Sequence, residues 1–200
     1  MPRLLLASRN PGKIRELSAL LAPLTLEVLT AQDLKLGPQV EETGRDYAEN
    51  ARLKARAMAL ETGEWTLADD TGLEVDALDG APGLHSARFS GEGASDADRR
   101  ARLLGQLARI AKPWTARFCC AVVLSSPTGD VDEAWGECLG EIVSDERGEG
   151  GFGYDPVFLV RGTEKTMAEL SMTEKNTLSH RAQAVEALLP LLKMRLELEP

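Results

Sequence analysis

The stretch 67–72, LADDTG, sets two aspartates side by side at the end of an apolar run, followed by a hydroxyl and a glycine. Adjacent carboxylates repel, and an unpaired buried charge is costly. Either both reach solvent in a turn, or one of them faces a positive partner. The apolar residues before them, from Trp65 to Ala68, read as a short buried strand. Strand residues alternate sides, so Asp69 and Asp70 cannot both face one site if the strand persists that far.

Outward from this point, the chain alternates strands and helices. Residues 3–7 and 25–29 read as strands. Between them SRNPGK (8–13) opens a helix, with Asn10 as N-cap, Pro11 at the first helical position and Ile14, Leu17, Leu20 and Leu21 as its apolar stripe. A second helix is expected over 46–61, carrying Tyr47, Ala51, Ala55 and Met58 on one face. Ser95 caps a third over 96–111. Residues 115–125 and 131–143 form a hairpin around SPTGD, and 157–160 a further strand. A terminal helix begins at Ser179, and Pro190 inside it should kink or shorten it. The pattern is α/β with a mixed sheet, in one domain spanning 1–200.

Composition narrows the function. With 43% hydrophobic and 28% charged residues, the 200-residue chain has an ordinary globular make-up. Its longest apolar run, 118–124, is strand-sized, so no membrane partner is expected, and the location expected is cytoplasmic. The cysteines, Cys119, Cys120 and Cys138, lack C-x-x-C spacing and read as reduced core thiols. A net charge of -9 argues against a nucleic-acid polymer, whose phosphates need a basic face. A small phosphorylated ligand remains compatible, provided that positive charge gathers in one pocket or a metal supplies it.

Four polar stretches carry candidate chemistry. In SRNPGK a helix start offers backbone N–H groups and a favourable dipole to phosphate, and Lys13 adds a cation where the dipole alone prefers an anion. Neither a P-loop nor a dinucleotide fingerprint is present. EETG (41–44) and ADDTG (68–72) bring carboxylates that, if they converge, suit Mg²⁺, which takes few protein oxygens and completes its shell with water and phosphate. GGFGYDP (150–156) sets Phe152 and Tyr154 among glycines, either as a stacking platform for a planar base or tucked into the core at a tight turn. EKNTLSHR (174–181) clusters Lys175, His180 and Arg181, donors for an anion or carbonyl or else a solvated helix start.

Taken with their flanks, ASRNPGKIREL, EETGRDYAENARLKA, ADDTGLEVDALDGAPGLHSARFSG, GEGGFGYDPVF and AELSMTEKNTLSHRAQA resemble the inosine triphosphate pyrophosphatase family in order and spacing, from Leu4 to about Leu188. The resemblance implies an elongated central mixed sheet flanked by helices, two lobes with an active-site cleft, and a homodimer. It implies Mg²⁺-dependent hydrolysis of ITP, dITP or XTP to the monophosphate and pyrophosphate. Position by position, Ser8, Arg9, Asn10, Pro11, Gly12 and Lys13 correspond to the triphosphate loop. Asp70 corresponds to the catalytic carboxylate and a metal ligand, with Thr71 contacting substrate beside it. Glu41 corresponds to the second metal ligand, with Glu42 as the alternative. Phe152, Gly153, Tyr154, Asp155, Lys175, His180 and Arg181 correspond to the nucleoside pocket, where Lys175 and Arg181, which can only donate, would pair with the carbonyl at the purine six position. Other readings are a pyrophosphatase for another modified nucleotide and a silent nucleotide-binding regulator.

Overall fold

The structure, a computed structural model, describes residues 1–34 and 40–198. Its strands are β1 (Arg3–Leu6), β2 (Glu27–Thr30), β3 (Trp65–Val75), β4 (Pro82–Gly83), β5 (Thr115–Ser125), β6 (Val131–Ile142) and β7 (Phe158–Val160). Its helices are α1 (Pro11–Leu21), α2 (Tyr47–Thr62), α3 (Asp96–Leu107), α4 (Met172–Leu178) and α5 (His180–Arg195). The sheet order is β2-β1-β3-β5-β6-β7, with β4 paired to β3. β1 runs parallel to β2 and β3, whereas β4 is antiparallel to β3 and β7 to β6. This is the mixed α/β sheet that the sequence pattern predicts.

Local chemistry fixes the helix starts. Asn10 Oδ1 accepts from the backbone N–H groups of Gly12 and Lys13 at 2.8 and 3.2 Å, which caps α1. Asp46 caps α2, and Gly63, at φ +70°, closes its other end by donating to the Ala59 carbonyl. Reciprocal capping boxes, Ser95 with Asp98 and Ser171 with Glu174, open α3 and α4.

The chain divides into two compact units. The first comprises Met1–Asp70, Cys120–Gly136 and Arg181–Pro200, the second Thr71–Cys119 and Glu137–His180. The first unit's core joins Leu4, Leu6, Leu17, Leu67, Val122 and Leu188. A second cluster there is built from small residues, Ala7, Ala51, Ala55 and Ala68, with Val123. Alanines four apart on α2 bring its backbone close to β3, and their neighbours Asn50 and Lys54 come with it. The second unit's core gathers Leu73, Val75, Leu103, Phe118, Tyr154 and Phe158.

Several elements differ from expectation. β3 does not end at Ala68 but continues through both aspartates to Val75. Its carboxylates find cationic partners inside the fold, so the strand has no need to turn them out to water. α3 stops at Leu107, short of 111. The segment before Ser179 is a helix of its own, α4. Pro190 does not shorten α5, which runs on to Arg195. Pro190 lies on an exposed face, while Leu188 and Leu192 on either side are buried at 1% exposure. Packing on the inner face outweighs the lost backbone bond on the outer one. The cysteines are free and buried as expected, and burial pushes the Cys119 thiol up to about 12.

Candidate active site

The opening pair of carboxylates sits mid-strand in β3, each turned to a different side and each met by cations. Asp69, 1% exposed, shares its Oδ2 between Lys13 Nζ at 3.2 Å and Arg181 Nε at 3.0 Å. Arg181 is likewise 1% exposed, and its Nη1 donates to Glu16 on α1. Asp70, 7% exposed, accepts from Asn50 Nδ2 at 3.1 Å and from Lys54 Nζ at 3.2 Å. The same ammonium donates to Glu42 Oε1 at 2.9 Å.

These contacts separate the acidities of two chemically identical neighbours. Burial alone would raise the Asp69 pKa, but Lys13, Arg181 and Lys54 outweigh it and hold that carboxyl far below the usual range. Burial also leads for Asp70, and there it wins. Lys54 and Lys13 oppose it, Glu42 adds to it, and the pKa lies above the ordinary aspartate value. Lys54 is pulled down by burial, yet Asp70, Asp69 and Glu42 keep its ammonium more basic than usual. Asp69 is thus held as an anion inside an ion cluster, whereas Asp70 binds a proton more readily than an ordinary aspartate.

At the start of α1, in the same unit, lies a cavity of about 710 Å³ lined by Arg9 and Arg15, by the polar Ser8 and Gln32, and by the apolar Ile14 and Ala31. Two guanidinium side chains and the positive end of a helix make its wall suited to anions.

A second polar cluster belongs to the other unit. Asp155 Oδ2 accepts from Lys175 Nζ at 2.6 Å and from the Phe152 N–H at 2.9 Å, and Lys175 Nζ stands 5.5 Å from the centre of the Phe152 ring. Gly151, at φ +73°, passes so close that an added Cβ would fall 1.9 Å from Asp155 Oδ2. Tyr154 is buried and its hydroxyl donates to the Ser86 carbonyl at 2.9 Å. It follows the core alternative, while Phe152 is only half-buried. His180, 4% exposed, stacks on Phe118 with ring centres 4.7 Å apart and 14° between planes.

The residues picked out from the sequence therefore fall into groups. Lys13, Asp69 and Arg181 meet directly, and Phe152, Asp155 and Lys175 meet directly. Arg181, which the resemblance assigned to the nucleoside pocket, has its guanidinium sunk between Asp69 and Glu16. Glu41 is exposed, and it is Glu42, the alternative one residue on, that reaches Asp70 through Lys54. Thr71 follows on β3, half-buried. Sequence reasoning missed Glu16, Asn50 and Lys54. A signal existed for the last two: Asn50 and Lys54 are four apart on α2, flanking an alanine stripe where a solvated face would have no reason for such small residues. Among the described residues, no group of three or more His, Cys, Asp or Glu side chains is gathered for a metal.

The sequence model of the Ham1 family matches residues 4–191. The chain belongs to the Ham1 family. It is 46% identical over 191 residues to the dITP/XTP pyrophosphatase of Desulforamulus reducens, covering 95% of each chain. It is 50% identical over 186 residues to the dITP/XTP pyrophosphatase of Gloeobacter violaceus, covering 93% of this chain and 92% of that one. Among solved structures, a HAM1 protein from Coxiella burnetii superposes with a TM-score of 0.86 at 40% identity, over 97% of this chain and 100% of that one. The family resemblance read from the motifs holds, and so does the α/β fold that it implied.

Proposed function

We propose that this chain is a nucleoside-triphosphate pyrophosphatase that hydrolyses deaminated purine nucleotides, ITP, dITP and XTP, to the monophosphate and pyrophosphate. The observation that carries the reading is the buried Asp70 held by Asn50 and Lys54 beside Glu42, in the unit that also holds Lys13 and the cavity with Arg9 and Arg15 at the start of α1. A triphosphate brings about four negative charges to a protein that is itself acidic. Ser8 to Lys13, with Arg9 and Lys13 as cations, neutralise part of that charge and orient the chain of phosphates.

Mg²⁺ fits the donors present. Asp70 and Glu42 lie within hydrogen-bond reach of one ammonium, Lys54 Nζ, at 3.2 and 2.9 Å, so the two carboxylates are neighbours, and Mg²⁺ would bind beside that ammonium on lone pairs it leaves unused. Two carboxylates suit an ion that keeps water and phosphate oxygens for the rest of its shell. When bound there, Mg²⁺ would neutralise phosphate charge and acidify a coordinated water. Asp70 would hold the ion or accept a proton from the attacking water, while Lys54 and Asn50 keep its carboxylate in place.

The base is assigned to the Phe152–Asp155–Lys175 cluster, where a half-buried ring sits beside an ammonium that can only donate. A carbonyl at the purine six position accepts from that ammonium, and an adenine amino group cannot. Arg181 is assigned to holding Asp69, not to the base. The reading extends to a homodimer acting on the cytoplasmic nucleotide pool, and treats the whole chain as one catalytic domain.

The test is pyrophosphate release from ITP, dITP, XTP, GTP, ATP and modified pyrimidine triphosphates, with and without Mg²⁺. Rapid release from the first three alone, lost on chelation, is expected. Preference for another nucleotide, or binding without release, would replace the proposal with a different pyrophosphatase or a silent binder. Sedimentation equilibrium checks the dimer.

A further inference from the structure

Both backbone polar groups of Gly153 are gripped by side chains from a single turn of α3. The Gly153 N–H donates to Asp96 Oδ2 at 2.7 Å, and Arg100 Nη1 donates to the Gly153 carbonyl at 2.8 Å. Asp96 and Arg100 are four residues apart, hence neighbours on one helix face. Each is fixed in turn. Asp96 Oδ1 accepts from Arg99, whose other amino group donates to the Ala94 carbonyl at 2.7 Å. Arg100 Nη2 pairs with Glu146 at 2.9 Å, and its side chain is only 14% exposed. The capping box of Ser95 and Asp98 pins the turn from which both residues project.

The grip falls on a backbone with little conformational preference of its own. Gly153 sits at φ +61°, a region that glycine enters and leaves freely. On one side of it stands Phe152 and on the other Tyr154, already anchored to Ser86. Phe152 is itself tied to Asp155, its N–H to Oδ2 at 2.9 Å and its carbonyl to the Asp155 N–H at 3.2 Å, so the grip on Gly153 secures the one peptide between that bonded pair and Tyr154. A loop ordered before binding does not have to be ordered during it.

We propose that Asp96 and Arg100 are positioning residues for purine recognition: by clamping Gly153 they set the Phe152 ring in the arrangement that a base meets, beside the Lys175 ammonium that Asp155 holds. Neither touches the base. The inference rests on the assignment of the Phe152–Asp155–Lys175 cluster to the base. It also explains why SDADRRARLL (95–104) carries a chemistry-bearing pair that the phosphate-directed residues do not use.

Inorganic tripolyphosphate separates this role from a merely structural one, because it offers phosphates and no base. KM and kcat for ITP with Mg²⁺, and inhibition by tripolyphosphate, are measured for wild type, Arg100→Ala, Arg100→Lys, Asp96→Asn and Phe152→Ala. Arg100→Ala is expected to raise the KM for ITP about tenfold, the effect of losing one charge-assisted hydrogen bond, with kcat nearly unchanged. Tripolyphosphate inhibition stays within about twofold on the same reasoning, and Arg100→Lys, which keeps a donor, recovers most of the loss. If Arg100→Ala does not hold its circular dichroism spectrum, Asp96→Asn, similar in shape, carries the same expectation with a smaller shift. An unchanged KM, or ITP and tripolyphosphate weakening together, overturns the clamp. Phe152→Ala without effect on KM overturns the base assignment itself, whereas a strong Phe152→Ala effect with silent Arg100 and Asp96 variants sinks the clamp alone.

Discussion

Asp69 and Asp70 are neighbours in the chain whose carboxylates answer to different lysines: Asp69 Oδ2 lies 3.2 Å from Lys13 Nζ, and Asp70 Oδ1 lies 3.2 Å from Lys54 Nζ. Strand alternation turns their repulsion into a division of labour. One carboxylate is locked into an ion cluster, and the other has its proton affinity raised by burial.

Asp70→Asn keeps the shape and the contact with Asn50 but removes the base and the charge. Turnover of ITP should fall by at least about a thousandfold, a loss in keeping with removal of a general base together with a metal ligand, while binding of the triphosphate persists. Calorimetric titration beside a pyrophosphate-release assay measures both. Near-normal turnover would remove Asp70 from the chemistry.

The acid limb of the activity profile reports Asp70. In the metal-free chain its pKa is raised by burial and held back by Lys54, so at sub-saturating Mg²⁺ activity should be lost on acidification at a pH above the ordinary aspartate range. Lys54→Met deletes an opposing cation, so the limb should move to still higher pH. A shift to lower pH, or none, in kcat against pH would show that another group controls the limb.

Arg181→Met should act on stability first. It leaves Asp69 and Glu16 buried without their shared guanidinium, a loss of roughly 3–5 kcal/mol when one partner of a buried ion pair is removed. Urea denaturation followed by circular dichroism reads this directly. A variant as stable as wild type but with weakened ITP binding would restore Arg181 to the nucleoside pocket of the sequence reading.

Glu42 and Glu41 can be told apart by magnesium. Glu42→Gln should raise the Mg²⁺ concentration needed for half-maximal activity several-fold, on the order of losing one charged ligand, whereas Glu41→Gln should change it little. The opposite ranking would move the second ligand back to Glu41.

Helix starts were legible in the sequence because they are written in a few adjacent residues: Asn10-Pro11 and the Ser95 box say where a helix begins without reference to the rest of the fold. The end of β3 was not. Whether a strand can carry Asp69 and Asp70 through a core depends on Lys13, Lys54 and Arg181, which arrive from distant segments. Of the two effects expected of Pro190 the shortening failed for a related reason, since the exposed side of α5 tolerates a missing bond that local rules count as a stop. Motif resemblance placed Asp70, Lys13 and Lys175 among the important residues. Only coordinates could separate the fate of Arg181 from that of Lys175, because sequence proximity within EKNTLSHR hides the fact that α5 starts between them.

The first unit is stitched from three separate stretches of chain and the second from two, with β3, β5 and β6 crossing the boundary. No single break in the polypeptide therefore releases either unit whole. A truncated fragment keeps Asp70 without Arg181, or Phe118 without His180, and so inherits charges and apolar faces stripped of their complements. For this protein a partial chain is not partial function: α1 is completed only when α5 supplies Arg181 to Glu16 and Leu188 and Leu192 to the core it shares with Leu17.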